Sequence, residues 1–233
     1  MTEYYTDNQG GRHAIPNTWS FSRWAAWDEC AFKYRAKFIL KVPEPQSPAM
    51  ARGDRVHRAL DSYITGRGPL PPEITSAFHK QLYGEMRAFT GRKLVEQKWG
   101  FSRNWRETGW MGNTTWLRAV CDVVMLYDDD SLEVVDHKTG KVYGDNSEQV
   151  ELFALAAFER FGVAAKNGVK TRLIYVDSDQ EQEAFYPGDD MDRIRAKWTL
   201  RAEKMLSDRK WLPRAGCRCK FCNMRVAGEL RAY

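Results

Sequence analysis

Hydrophobic and polar positions follow two periods along this 233-residue chain. Helical spacing dominates the first ninety residues. Residues 1–16 are polar with a Gly-Gly pair, and read as a loose arm. From Thr18 to about Leu40, Trp24, Trp27, Ala31, Tyr34 and Phe38 fall on one helical face, with Thr18 or Ser20 as cap. The proline-rich segment 42–48 breaks that pattern. A second helix is expected over 49–66, with Val56, Leu60, Tyr63 and Ile64 on its apolar side. A third is expected over 72–89, with Ile74, Phe78, Leu82 and Met86. Period two then takes over. Residues 94–101 alternate imperfectly around Glu96; 114–127 and 132–138 alternate more clearly. A helix over 147–161, strands over 171–176 and 182–186, and a helix over 190–207 complete the pattern. This order predicts an α/β or α+β core, a small mixed sheet flanked by helices.

Within this pattern, the stretch Ala119–Lys141 stands out. It reads as two strands joined by the acidic turn Asp128-Asp129-Asp130. Val120, Asp122, Val124 and Leu126 share one face of the first strand. Leu132, Val134, Asp136 and Lys138 share one face of the second. Asp136 follows mostly apolar positions, where an unpaired carboxylate is costly to bury. A divalent cation together with Lys138 would compensate the charge; a solvated surface hairpin is the other reading.

Composition changes the picture only modestly. Lys plus Arg number 36 against 31 Asp plus Glu, a net charge of +5, which permits a polyanionic partner without demanding one. Arg and Lys interleave with aromatic residues at 19–38 and 98–118, so a basic stacking groove competes with plain packing of the nine Trp. No secretory signal and no apolar run near ~20 residues is present, so the expected location is cytoplasmic, with no membrane partner. Three of the five Cys, Cys217, Cys219 and Cys222, lie within six positions. Without a signal peptide, that clustering favours metal or cluster ligation over disulfides.

Four separated motifs then fall in order: Gly53-Asp54-Arg55-Val56-His57, Ala119-Val120-Cys121-Asp122, Val134-Val135-Asp136-His137-Lys138-Thr139-Gly140 and Gln149-Val150-Glu151-Leu152-Phe153. Their order and spacing resemble the PD-(D/E)XK nuclease superfamily, closest to its RecB-like branch and the CRISPR-associated exonucleases within it. The resemblance spans Trp19 to Cys222. It implies an α/β, restriction-endonuclease-like core with a Cys-rich tail packed on the N-terminal helix. The implied division is a flexible arm at 1–17, a helical region at 18–90, the nuclease core at 91–208 and the tail at 209–233.

The resemblance also implies roles. Asp122 and Asp136, the His57 side chain and the His137 carbonyl would hold Mg²⁺ or Mn²⁺. Lys138 would orient the attacking water, and Gln149 would hold the active-site strand or the substrate. Cys30, Cys217, Cys219 and Cys222 would hold a [4Fe–4S] cluster or Zn²⁺. Arg23, Trp24 and Phe153 would contact DNA. Phe153 stands where the pattern has Tyr, and the second acid is Asp136 where Glu is commoner. The implied activity is a metal-dependent DNA exonuclease acting on single-stranded ends, free-standing and of phage or mobile-element type, with a helicase or recombination protein as a further partner. The alternatives are a nuclease fold that binds DNA or a partner protein without cutting, and a cysteine-metal scaffold in a repair complex.

Overall fold

The computed structural model describes residues 3–43, 46–140, 146–162, 167–178 and 180–214. The chain divides into two units, residues 1–45 with 198–233, and residues 46–197.

In the larger unit, local chemistry starts each helix. Helix α3 (Pro48–Ile64) begins where the Ser47 hydroxyl accepts the Met50 N–H at 3.2 Å. Pro48 occupies the first helical position, where an N–H has no helical partner anyway. The helix stops before Gly66, whose φ of +78° is left-handed. Helix α4 (Ala77–Ala88) is capped in the same way by Ser76. It starts five residues later than the spacing of Ile74 and Phe78 predicts. Phe78 is in fact 46% exposed and lies off the buried face. Both helices direct their buried residues, among them Val56, Leu60, Tyr83 and Met86, against Val123, Met125, Val135 and Ile174 of a sheet.

That sheet has six strands in the order β4-β3-β5-β6-β7-β8. They are β3 (Arg92–Phe101), β4 (Glu107–Thr108), β5 (Leu117–Leu126), β6 (Leu132–Lys138), β7 (Val169–Tyr175) and β8 (Gln180–Tyr186). All neighbours run antiparallel except β6 and β7, which pair in parallel from Leu132↔Val169 to Lys138↔Tyr175. The parallel pair is joined through helix α5 (Ser147–Phe161), as a parallel connection requires. Val150 of α5 packs with Leu173 and Tyr175 of β7. The expected hairpin is present, with Leu126 opposite Leu132 and Tyr127 N–H bonded to the Ser131 carbonyl. Its acidic turn is exposed at Asp128 and Asp129: the Asp129 carboxylate accepts from the Ser131 N–H and hydroxyl, and the Asp129 carbonyl accepts from the Asn167 amide.

In the smaller unit, the expected loose arm is a hairpin instead. Strands β1 (Tyr4–Thr6) and β2 (Arg12–Ala14) pair antiparallel. Asp7 ties their turn by accepting from the Gln9 and Gly11 N–H groups and from His13. The single helix expected over 18–40 is broken. Helix α1 (Phe21–Glu29), capped by Ser20, ends at Cys30, whose φ and ψ of −163° and 110° are extended. Helix α2 (Ala31–Tyr34) then passes into a π-helical turn at Arg35–Ile39. Helix α6 (Met191–Ser207) enters this unit at Trp198. There Trp198, fully buried, packs on Trp19, Phe21 and Trp24 at ring-centroid distances of 6.0, 6.0 and 5.0 Å.

Candidate active site

The candidate site sits where the strand ladder opens. Backbone pairing between β5 and β6 runs from Leu126↔Leu132 to Val123↔Val135 and ends there. The next step would set Asp122 against Asp136. Instead, the Asp122 carboxylate accepts the His137 N–H at 2.8 Å, satisfying the group that the lost ladder bond leaves open. Helix α3 brings His57 to the same carboxylate, Nδ1 to Oδ2 at 3.4 Å. Asp136 points to the α5 side. Lys138 Nζ lies 2.6 Å from its Oδ2 and also donates to Gln149 Oε1 at 2.7 Å. The Gln149 amide donates to Asp136 Oδ1 at 3.1 Å, so Gln149 holds both members of the pair.

The two carboxylates are buried, 7% and 4% exposed, and are pushed in opposite directions. Burial raises both. For Asp122, the His57 hydrogen bond and the charges of His137 and His57 more than offset burial and leave it below the ordinary range. For Asp136, burial prevails over the Lys138 charge, Asp122 adds repulsion, and the net direction is up. His57 is raised: burial disfavours its charge, but Asp122 outweighs it. The His137 side chain takes the opposite face, fully buried, with Nδ1 3.2 Å from the Tyr83 hydroxyl; burial pushes it down to about 4. A neutral His137 leaves its backbone, not its ring, available to the site.

The turn after β6 is fixed from outside the motifs. Asp177 accepts from the Gly140 N–H at 2.5 Å and from both terminal nitrogens of Arg52 on α3 at 2.8 and 2.6 Å. Gly53 lets α3 come close, since a Cβ there would sit 3.0 Å from Thr139 Oγ1. A cavity of about 710 Å³ opens beside the site, lined among others by Met50, Gly53, His57, Arg58, Glu96 and Thr139.

Sequence reasoning did not find Glu96, Asp61, Tyr83 or Asp177 as site residues. Asp61 carries a legible signal, lying four residues after His57 on the same helix face. It is 7% exposed, and its pKa is pushed up to about 7, first by burial and then by Glu96 and Asp122. The folded value exceeds the ordinary 3.8, so the fold binds the extra proton between those values. Stability contributed by the protonated group is therefore present at pH 4 and lost as pH rises through 7. Asp61→Asn is expected to leave unfolding unchanged at pH 4 and to stabilise the protein at pH 8. The gain should be roughly 2 kcal/mol after a discount for solvent screening. Urea unfolding midpoints at the two pH values check this; equal shifts at both would refute it.

Donor chemistry fits a hard divalent cation: two buried carboxylates converge where only one of them is drawn below the ordinary range, with an imidazole beside them. Among the described residues, no three His, Cys, Asp or Glu side chains are yet placed to hold an ion. Lys138 Nζ lies where it engages Asp136, so an ion would have to displace it.

The remaining predicted residues lie elsewhere. Trp24 and Phe153 are each 5% exposed, which leaves neither ring a face for stacking on a base. Arg23 donates to the Thr18 carbonyl and hydroxyl, both at 2.9 Å. Eight of the nine Trp are buried; Trp110 is half-buried beneath Arg118. Cys30 is a free, half-buried thiol at the joint between α1 and α2, whereas Cys217, Cys219 and Cys222 lie outside the described residues, as does most of the expected tail. No helix among the described residues is long and apolar enough to cross a membrane.

Comparison with known proteins agrees with the arrangement of motifs. No curated relative matches the sequence. Among 21 solved chains that match, the crystal structure of SSO0001 aligns at a TM-score of 0.45 and 17% identity, over 88% of this chain and 82% of that one. Residues 18–227 match the PD-(D/E)XK nuclease superfamily, whose enzymes typically use divalent metals on nucleic acid. The mixed six-stranded sheet flanked by helices is consistent with a restriction-endonuclease-like core. With nine-tenths of its length matched, the chain belongs to the PD-(D/E)XK nuclease superfamily.

Proposed function

We propose that the protein is a metal-dependent DNA exonuclease of the RecB-like branch that hydrolyses phosphodiester bonds at single-stranded ends. One observation carries this reading: Asp122, Asp136, Lys138 and Gln149 meet at the open end of the β5–β6 ladder, with His57 delivered to the same point. Asp122 and Asp136, with His57 and the His137 carbonyl, would hold Mg²⁺ or Mn²⁺. The bound ion supplies Lewis acidity and lowers the pKa of a coordinated water.

The chain's own groups do the rest. Lys138, freed from Asp136, turns its ammonium toward the attacking water and the scissile phosphate, screening charge that develops there. Gln149 keeps Lys138 within reach through its carbonyl and holds Asp136 through its amide. The cavity of about 710 Å³ beside His57 would receive the strand end, with Arg58 among its lining residues for phosphate. Trp24 and Phe153 contribute packing, so contact with the strand falls to exposed cations such as Arg103 and Arg106. In this reading Cys30 and the three tail cysteines hold a [4Fe–4S] cluster or zinc, and the enzyme works in recombination, repair or phage DNA processing, alone or beside a helicase.

Incubation of the full chain with end-labelled single-stranded DNA and Mn²⁺ tests the reading. Progressive shortening is expected, abolished by EDTA and restored by added Mn²⁺. DNA that is retained in a gel shift but never shortened would instead identify a binding module.

A further inference from the structure

The sheet face that carries Asp122 continues along β5, away from the candidate site. Strand alternation sets Asp122, Val120 and Arg118 on one side. Burial follows it: Val120 and Arg118 are half-buried, whereas Ala119 and Cys121 between these positions are buried. Lys98 pairs with Val120 and Gly100 with Arg118, so β3 extends the same face. At its far end a loop folds onto it. A Cβ at Gly100 would lie 2.7 Å from the Gly109 carbonyl oxygen, so the strand needs glycine where the loop lands. That carbonyl accepts from the Thr115 hydroxyl at 2.7 Å and from the Gly112 N–H at 3.0 Å. Arg118 donates from Nε to the Trp110 carbonyl at 3.0 Å and covers the Trp110 ring at 5.6 Å. Trp105 takes a φ of +58°, a left-handed conformation held by its burial edge-on to Trp116 at 5.7 Å. A loop tied this closely has little freedom left to lose on binding. Yet Met111 at its tip is 72% exposed. Charge here is one-sided. From Lys98 to Arg118 the chain carries four cations and one acid, Glu107, which is ion-paired with Arg160. Lys98, Arg103 and Arg106 are exposed and make no ion pair among the described residues.

We propose that the hairpin between β3 and β5 docks the single-stranded substrate behind its reacting end, with Lys98 on a phosphate and Met111 against a base. The inference rests on the nuclease reading, which puts the scissile phosphate at Asp122, and adds a second point of contact remote from it. Arg118 lies four residues from Asp122, about 13 Å along an extended strand. That span takes roughly four stacked nucleotides at ~3.4 Å each. The loop that Arg118 anchors therefore meets the substrate several nucleotides from the reacting bond. Exposed cations without partners attract phosphate whatever the base sequence. A thioether packs against the face or edge of any aromatic ring. Both contacts are indifferent to sequence, as an enzyme that shortens a strand step by step requires. Trp110, held beneath Arg118, supports the tip, and Met111 makes the contact.

The test measures binding of the full chain to a labelled oligothymidylate of about ten nucleotides, by fluorescence anisotropy in EDTA over a range of salt. Lys98→Gln should lower the slope of log affinity against log salt by about 0.7, the share of one phosphate on a single strand. Met111→Ser should weaken binding roughly two- to tenfold without changing that slope. Both side chains are exposed, so both variants should keep the wild-type melting temperature. With Mn²⁺ present, each should raise KM on the same strand by its own binding factor and leave kcat within twofold. Cleavage of a dinucleotide, too short to reach the loop, should be unchanged. Wild-type affinity and slope in both variants overturn the inference, and so does an equal loss on the dinucleotide. Cleavage by wild type with both variants unaffected overturns it while leaving the nuclease reading intact. Binding that the variants weaken, without any shortening by wild type, keeps the docking surface and removes the nuclease reading. A wild type that neither binds nor cuts overturns both.

Discussion

Asp136→Asn is expected to slow single-strand degradation by at least about 10³-fold. The substitution keeps the shape and the Gln149 contact, and removes only the negative charge. In the native site that charge is buried beside Lys138 Nζ at 2.6 Å and faces Asp122 across the open ladder. Without it, the cation loses a ligand, while Lys138 keeps its bond to Gln149 Oε1. The fold should survive, because ionised Asp136 is disfavoured by its own burial. Initial rates on end-labelled single strands with Mn²⁺ decide the matter. A variant within tenfold of wild type, with an unchanged circular-dichroism spectrum, would remove Asp136 from the chemistry.

The largest expected stability effect lies in the other unit. Trp198→Ala should cost about 3–5 kcal/mol. The indole is fully buried, stacked on Trp19 and edge-on to Trp24, with the Arg201 guanidinium 5.0 Å from its ring. Truncation leaves a cavity among three other aromatic rings, whose contacts with the indole are lost. Against a total stability of about 5–15 kcal/mol, that loss should lower the melting temperature by about 10 °C. Trp198→Phe should recover most of it. A change of under 1 kcal/mol in the alanine variant would show that the aromatic cluster does not hold this unit together.

Where periodicity and local chemistry agree, the sequence is easy to read. Residues 132–138 and 147–161 form the expected strand and helix, the strand followed by Gly140 and the helix closed by Gly162, both at positive φ. His57, Asp122, Asp136, Lys138 and Gln149 were legible as a set, since each lies within a short motif whose order along the chain is informative. The hairpin at Tyr4–Ala14 was not, because three-residue strands carry no alternation and their register is set by Asp7 in the turn. The break at Cys30 was hidden by an apolar spacing that continues at helical period across it. Glu96 could not be placed from sequence. Its meaning depends on which strand lies beside β5 and in what register, and that is long-range information. The interleaved Trp and Arg misled in a different way: composition cannot tell a stacking platform from a packed aromatic core, and burial decides for the core.

The one parallel junction in the sheet has a consequence for biosynthesis. Every proposed ligand and catalytic side chain of the nuclease site has been synthesised once Gln149 is added. Yet β6 is only half enclosed at that moment, because its far neighbour is residues 169–175 and the link between them is α5 itself. Only when β7 docks are both edges of the Asp136 strand paired and Lys138 fixed opposite Tyr175. A nascent chain released early would therefore carry the whole set of reactive groups without the rigid strand that aims them, and cutting competence should arrive with the final third of synthesis.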